Sequence, residues 1–184
     1  EKEVDELIVL DISASKSGIN PDYKAIENFA SECFMPLCYG GGINNLEQAK
    51  TIFSLGVEKI AIQTSIIDNN NFIKSLADTF GNSSIVVSID IMKNWRGAYN
   101  IYSFYRNRKL KRDWYIFLKE IVESGAGEIL INSVDRDGTL LGIDQALISE
   151  TSQAVNIPII YCGGVGSLED IKLAINKGAS AVGA

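Results

Sequence analysis

Asp90 ends the apolar run Ile85-Val86-Val87-Ser88-Ile89, and a carboxylate there is costly to desolvate unless something useful faces it. Two readings fit it: a proton-transfer group at the mouth of a parallel sheet, or a strand-end acid that caps the next turn. Asp137 is a second acid, in Ser133-Val134-Asp135-Arg136-Asp137-Gly138-Thr139, directly after the apolar run that starts at Glu128. Carboxylates, a guanidinium and hydroxyls crowd together there, as either a ligand loop or a salt-bridged turn. Asp11 with Ser13 and Ser15 has the same ambiguity. Gly40-Gly41-Gly42 and Gly163-Gly164-Val165-Gly166 each follow an apolar run and precede a helical pattern. Backbone N–H groups in such loops approach an anion closely, and Thr64 adds a hydroxyl; the plain alternative is a tight turn. A related pair of phosphate cradles implies a long ligand with a phosphate at each end.

Composition narrows the chemistry. Histidine is absent, which removes His-based triads, most zinc sites and the usual neutral-pH proton shuttle, and leaves carboxylates as the acid-base groups. No metal or cofactor is called for. The net charge of -6 argues against a nucleic-acid surface. The basic cluster Arg106, Arg108, Lys109, Lys111 and Arg112 serves phosphates or is a solvated loop. Cys33, Cys38 and Cys162 lack a C-x-x-C spacing, so reduced thiols in a cytoplasmic protein are expected. No apolar run approaches the roughly 18 residues of a membrane span, and no signal peptide opens the chain.

The elements that must position these groups alternate. Short apolar runs at 6–11, 36–39, 59–62, 85–90, from 128, at 158–162 and from 179 read as strands, and amphipathic stretches at 46–55, 71–80, 114–124, 144–154 and 168–176 as helices. Asn20-Pro21-Asp22 starts a further helix with Tyr23, Ile26 and Phe29 on one face. Residues 94–112 break the rhythm with a hairpin-like excursion. Strands alternating with helices at short spacing predict a parallel sheet.

An internal repeat sharpens this. Met35-Pro36-Leu37-Cys38-Tyr39-Gly40-Gly41-Gly42-Ile43 lies without a gap on Ile157-Pro158-Ile159-Ile160-Tyr161-Cys162-Gly163-Gly164-Val165, and the same offset places Glu6 on Glu128 and Gly56 on Gly178. Two related halves predict an α/β (β/α)8 TIM barrel built by duplication, as a single partial domain over 1–184 with its first strand missing and its last cut. The repeat places the counterpart of the strand ending at Asp90 about thirty residues before Glu1.

These residues together resemble the cyclase subunit of imidazole glycerol phosphate synthase, the HisF family of histidine biosynthesis. The resemblance rests on Asp5-Glu6-Leu7 through Leu10-Asp11-Ile12-Ser13-Ala14-Ser15, Gly40-Gly41-Gly42-Ile43, Val87-Ser88-Ile89-Asp90, Arg112-Asp113-Trp114, Gly125-Ala126-Gly127-Glu128, the Asp135 to Thr139 loop and Gly163-Gly164-Val165-Gly166. It implies that ammonia from a partner glutaminase, passed through the barrel, attacks a bisphosphorylated ribulosyl-formimino aminoimidazole carboxamide ribonucleotide. Imidazole glycerol phosphate and an aminoimidazole carboxamide ribonucleotide would result. One of two catalytic aspartates falls on Asp90, the other outside the sequence. Phosphate contacts fall on Gly42 and Thr64, beside Gly41, and on Asp137, Gly138 and Gly164, beside Gly163. A charged gate for ammonia falls on Glu6, Lys59 and Glu128, with a fourth, basic member outside the sequence; an ordinary salt-bridged barrel floor is the alternative.

Departures from the family pattern are Gln63 in place of Asn, Asn132 in place of Thr, Cys162 in place of Ser, and Tyr105-Arg106-Asn107-Arg108-Lys109-Leu110 in place of a Gly- and Thr-containing turn. The Asn132-Ser133 and Cys162-Gly163-Gly164 wording is similar to a cyclase-like paralogue that works with an amidotransferase to amidate a surface-polysaccharide sugar. A reading of another class is a non-catalytic barrel that docks and activates a glutaminase.

Overall fold

The computed structural model describes residues 4–67 and 70–184; the side chain of Ser15, one of the candidate hydroxyls, lies outside that description. Seven strands run parallel in spatial order: β1 (Leu7–Leu10), β2 (Leu37–Gly40), β3 (Lys59–Ile62), β4 (Ile85–Lys93), β7 (Glu128–Ser133), β8 (Ile159–Cys162) and β9 (Ala181–Gly183). The short strands β5 (Tyr99–Ser103) and β6 (Arg108–Lys109) form an antiparallel excursion beyond the end of β4. Helices α2 (Tyr23–Glu32), α3 (Leu46–Ser54), α4 (Asn71–Phe80), α5 (Trp114–Glu123), α6 (Gln145–Ala154) and α7 (Leu168–Asn176) alternate with the parallel strands. This curled, open sheet has the architecture of a partial (β/α)8 barrel.

Side chains in a strand alternate between faces, and here the alternation sorts them into two cores. One row faces the helices: Ile60, Ile62, Ile85, Val87, Ile89, Ile129, Ile131, Ile159 and Tyr161 pack with Ile52, Leu76, Ile121 and Leu147. The other row points into the barrel, where Cys38, Ala61, Val86, Leu130 and Ile160 cluster with Ile8 and Cys162. Strand pairing sets the levels: Cys38 lies opposite Lys59, Val86 opposite Glu128 and Asp90 opposite Asn132. Following the inner row in steps of two along β7 gives Glu128, Leu130 and Asn132, and along β4 gives Val86, Ser88 and Asp90. The interior is therefore layered from a charged floor through an apolar middle to a polar mouth.

The duplication is visible in the backbone. Asn45 and Ser167 cap α3 and α7 with nearly identical dihedrals, φ -149, ψ 164 and φ -150, ψ 164, each accepting a backbone N–H in the first turn. Gly41 approaches the Asp11 carbonyl as Gly163 approaches that of Ser133, and Asp11 and Ser133 are themselves repeat equivalents. An added Cβ would stand 2.5 Å from the first oxygen and 2.7 Å from the second. These glycines are required because another backbone occupies the side-chain position.

Two local differences from the sequence reading have clear causes. Residues 12–17, to which the sequence reading assigns no element, form the short helix α1 (Ile12–Ser17), because the Asp11 carboxylate accepts from the Ala14 N–H at 2.9 Å and Gly18 closes the turn at φ 64. Strand β4 runs on past Asp90 to Lys93, because Asp90 to Lys93 pair antiparallel with Tyr102 to Tyr99.

Candidate active site

Asp90 is 6% exposed and turns into the mouth of the barrel. Its two oxygens are held by carboxamides. Gln63 donates to Oδ2 at 2.5 Å from the end of β3, and Asn132 donates to Oδ1 at 3.0 Å from the facing position on β7. Burial raises the pKa of Asp90; the bonds from Asn132 and Gln63 pull it down, the field of Asp137 pushes it up, and the net shift is upward. A carboxyl group so placed holds its proton more readily than an ordinary carboxylate, as a proton-transfer group requires. Gln63 and Asn132 were legible only as departures from a family pattern. Their inner-row parity with Asp90 was the signal that could have placed them beside it.

Asp90 shares a cavity of about 380 Å³ with Gly41, Gln63, Thr64, Asn132 and Asp137. A smaller notch of about 170 Å³ adjoins it, lined by Gly41, Gly42, Thr64 and Ser65 among others. Asp90, Asp137, Gly41, Gly42 and Thr64, expected from the sequence as site residues, thus come together around one connected space. Gly138, Gly163 and Gly164 line neither cavity. Gly164 instead accepts from the Gly142 N–H at 2.8 Å, pinning the loop that carries Asp137 to the loop after β8. At φ 80, with the Gly142 carbonyl where a Cβ would go, Gly164 has no room for a side chain. Gly164→Ala should destabilise the protein by roughly 2–4 kcal/mol, from left-handed strain plus overpacking, and is checked by urea unfolding.

The floor holds Glu6, Lys59 and Glu128. The Lys59 ammonium donates to Glu6 at 2.7 Å and to Glu128 at 2.8 Å. Burial works against the charged lysine, but the hydrogen bonds to Glu128 and Glu6 outweigh it and hold its pKa above the usual value. Two carboxylates share one cation here, and Oε1 of Glu6 is buried with no partner among the described residues. A second cation would fit this floor.

The excursion is fastened to the mouth by its own network. Lys93 pairs with Asp144 at 2.7 Å, and the Tyr99 hydroxyl donates to the other oxygen of Asp144 at 2.9 Å. Lys109 donates to the Lys93 carbonyl at 2.9 Å, and Arg112 pairs with Glu120 and lies over the Phe117 ring. Two members of the basic cluster are therefore committed to holding the excursion. Phe104 and Tyr105, 51% and 56% exposed, hang from the turn of this hairpin into the larger cavity.

Among the described residues no helix is long and apolar enough to cross a membrane. The family model described as "Histidine biosynthesis protein" matches residues 1–184. A Pseudomonas aeruginosa relative called putative imidazole glycerol phosphate synthase subunit hisF2 is 47% identical over 171 residues, covering 93% of this chain and 68% of the relative. A Leptospira borgpetersenii protein called putative imidazole glycerol phosphate synthase subunit HisF is 46% identical over 96% of this chain and 70% of its own length. The imidazole glycerol phosphate synthase subunit HisF of Dictyoglomus turgidum is 38% identical over 99% of this chain and 73% of its own length.

Proposed function

The chain belongs to the HisF family, the cyclase subunits of imidazole glycerol phosphate synthase in histidine biosynthesis, and on that premise we propose that its mouth closes a ring on a bisphosphorylated substrate. Ammonia made by a glutaminase partner enters past Glu6, Lys59 and Glu128, crosses the apolar layer around Cys38, Val86 and Leu130, and meets the substrate beside Asp90. One phosphate of the ribulosyl-formimino aminoimidazole carboxamide ribonucleotide sits in the notch of Gly41, Gly42 and Thr64. The other is held from the Asp137, Gly138, Gly163 and Gly164 side. Asp90 moves the proton as the new carbon–nitrogen bond forms and the imidazole closes, with a second acid from outside this sequence as its partner. The products are imidazole glycerol phosphate and the aminoimidazole carboxamide ribonucleotide.

The observation that carries this reading is Asp90: an almost fully buried carboxylate, clamped by two amides, in the cavity that also contains Gly41 and Thr64. The test is turnover of the bisphosphate, with ammonium salts, by the full-length protein that includes the segment supplying the second acid. Measurable imidazole glycerol phosphate supports the reading, and its absence from folded protein defeats it.

A second reading, the paralogue that partners an amidotransferase in amidating a polysaccharide sugar, turns on one feature. Of the residues lining both cavities, namely Gly41, Ala61, Gln63, Thr64 and Tyr105, Tyr105 is the one aromatic, and it belongs to the loop that departs from the family pattern. An aromatic face at that junction packs on whatever lies next to the bound phosphate. Tyr105→Ser should raise KM for the true substrate by roughly tenfold, the equivalent of losing about 1–1.5 kcal/mol of ring contact. Assaying both candidate substrates against the variant identifies the one that touches the ring.

A further inference from the structure

We infer that Asn132 is a binding residue for the incoming nitrogen: its side-chain carbonyl accepts an N–H of ammonia, while its amide group holds Asp90 in place. Nδ2 of Asn132 donates to Oδ1 of Asp90 at 3.0 Å, and turning the amide over would set two oxygens against each other and leave the nitrogen without an acceptor. Asp90 therefore dictates which end of Asn132 faces which way. The other end, Oδ1, is buried and has no hydrogen-bond partner among the described residues. Native proteins rarely keep a buried acceptor unmatched, and those that do usually match it with a ligand or water.

Position makes ammonia the fitting donor. Asn132 is the top of the inner row Glu128, Leu130, Asn132, and it faces Asp90 across the β4–β7 pairing. The layer below it is the apolar cluster of Cys38, Ala61, Val86, Leu130 and Ile160. A small neutral molecule leaving that layer gains its first side-chain amide acceptor at Asn132. Ammonia gives one N–H to that carbonyl and keeps its lone pair for attack; no covalent bond to the protein is made. Gln63 supplies the contrast, since it also clamps Asp90 but its amide oxygen is not among the buried unpartnered atoms.

This rests on the reading of Asp90 as the proton-transfer group, and the experiment separates the two. In ammonium-driven turnover, Asn132→Leu and Gln63→Leu each remove a donor from Asp90, so both should lower kcat and move the acidic limb of the pH profile upward. Only Asn132→Leu should raise KM for ammonia, by about tenfold, with KM for the phosphorylated substrate changed by less than about twofold. Asn132→Thr, which restores an oxygen, should recover the KM for ammonia, and it carries the test if the leucine variant does not fold. Equal ammonia KM values in folded Gln63→Leu and Asn132→Leu overturn the inference and leave a positioning role, with water matching Oδ1. Undiminished turnover by Asp90→Asn would instead overturn the proton-transfer reading itself.

Discussion

Asp90→Asn is expected to lower ammonium-driven cyclisation by about 10²–10⁴-fold, the usual contribution of a positioned acid-base group, while the protein stays folded and still binds the glutaminase partner proposed for it. The substitution is nearly isosteric and keeps an acceptor on one side of the clamp. On the other side it sets an amide nitrogen against the donor of Gln63 or Asn132, which one carboxamide flip relieves. Steady-state turnover together with glutaminase activation in the complex makes the measurement. Loss of cyclisation with activation retained supports an enzyme. Unchanged product formation supports the barrel whose work is docking. The pH profile adds a second signature. Because burial lifts Asp90 above the ordinary carboxylate value despite its two amide bonds, the acidic limb of kcat/KM should lie above that of an ordinary carboxylate in the wild type, and higher still when either amide donor is removed.

The second large effect is expected at the floor. Lys59→Met removes the cation that Glu6 and Glu128 share and leaves two carboxylates facing each other in the barrel interior. Breaking a buried pair by removing one partner typically costs about 3–5 kcal/mol; with roughly a fifth of the lysine side chain still exposed, about 1–3 kcal/mol is the reasonable expectation. Pairing it with Glu128→Gln should return part of that loss, because the repulsion goes with the charge. The sign with pH is definite: the folded pKa of Lys59 is raised, so its stabilisation is complete below the unfolded lysine value near 10.4 and is lost as pH climbs through the folded one. Urea unfolding at neutral and alkaline pH measures both. On the proposed route, in which a glutaminase partner feeds ammonia through the floor, glutamine-driven turnover should fall further than ammonium-driven turnover.

Much of this was legible along the chain. Branched apolar runs alternating with helical patterns, and two aligned copies of a glycine-ended strand, were enough for a (β/α)8 barrel, because period-two and period-3.6 burial leave direct marks in sequence. Asp90 stood out for a simple reason: a lone acid closing an apolar strand is expensive. Glu6, Lys59 and Glu128 carried no such mark. They were assignable only through resemblance to known cyclases, since each is an ordinary charged residue at a strand start. The cap made by Asp11 was likewise hidden, because an acid before a run of small polar residues fits a loop as well as a helix start.

The sequence by itself determined the alternation of faces on each strand, and hence which residues share the barrel interior. Only the tertiary structure decided which inner residues meet at one level, because register between distant strands depends on how whole sheets and helices pack. That register sets Asp90 opposite Asn132, brings Gln63 onto its second oxygen and places one lysine between two glutamates. It also draws the hairpin of Phe104 and Tyr105 over the mouth, through the Lys93–Asp144 pair, a contact between residues with no shared local pattern.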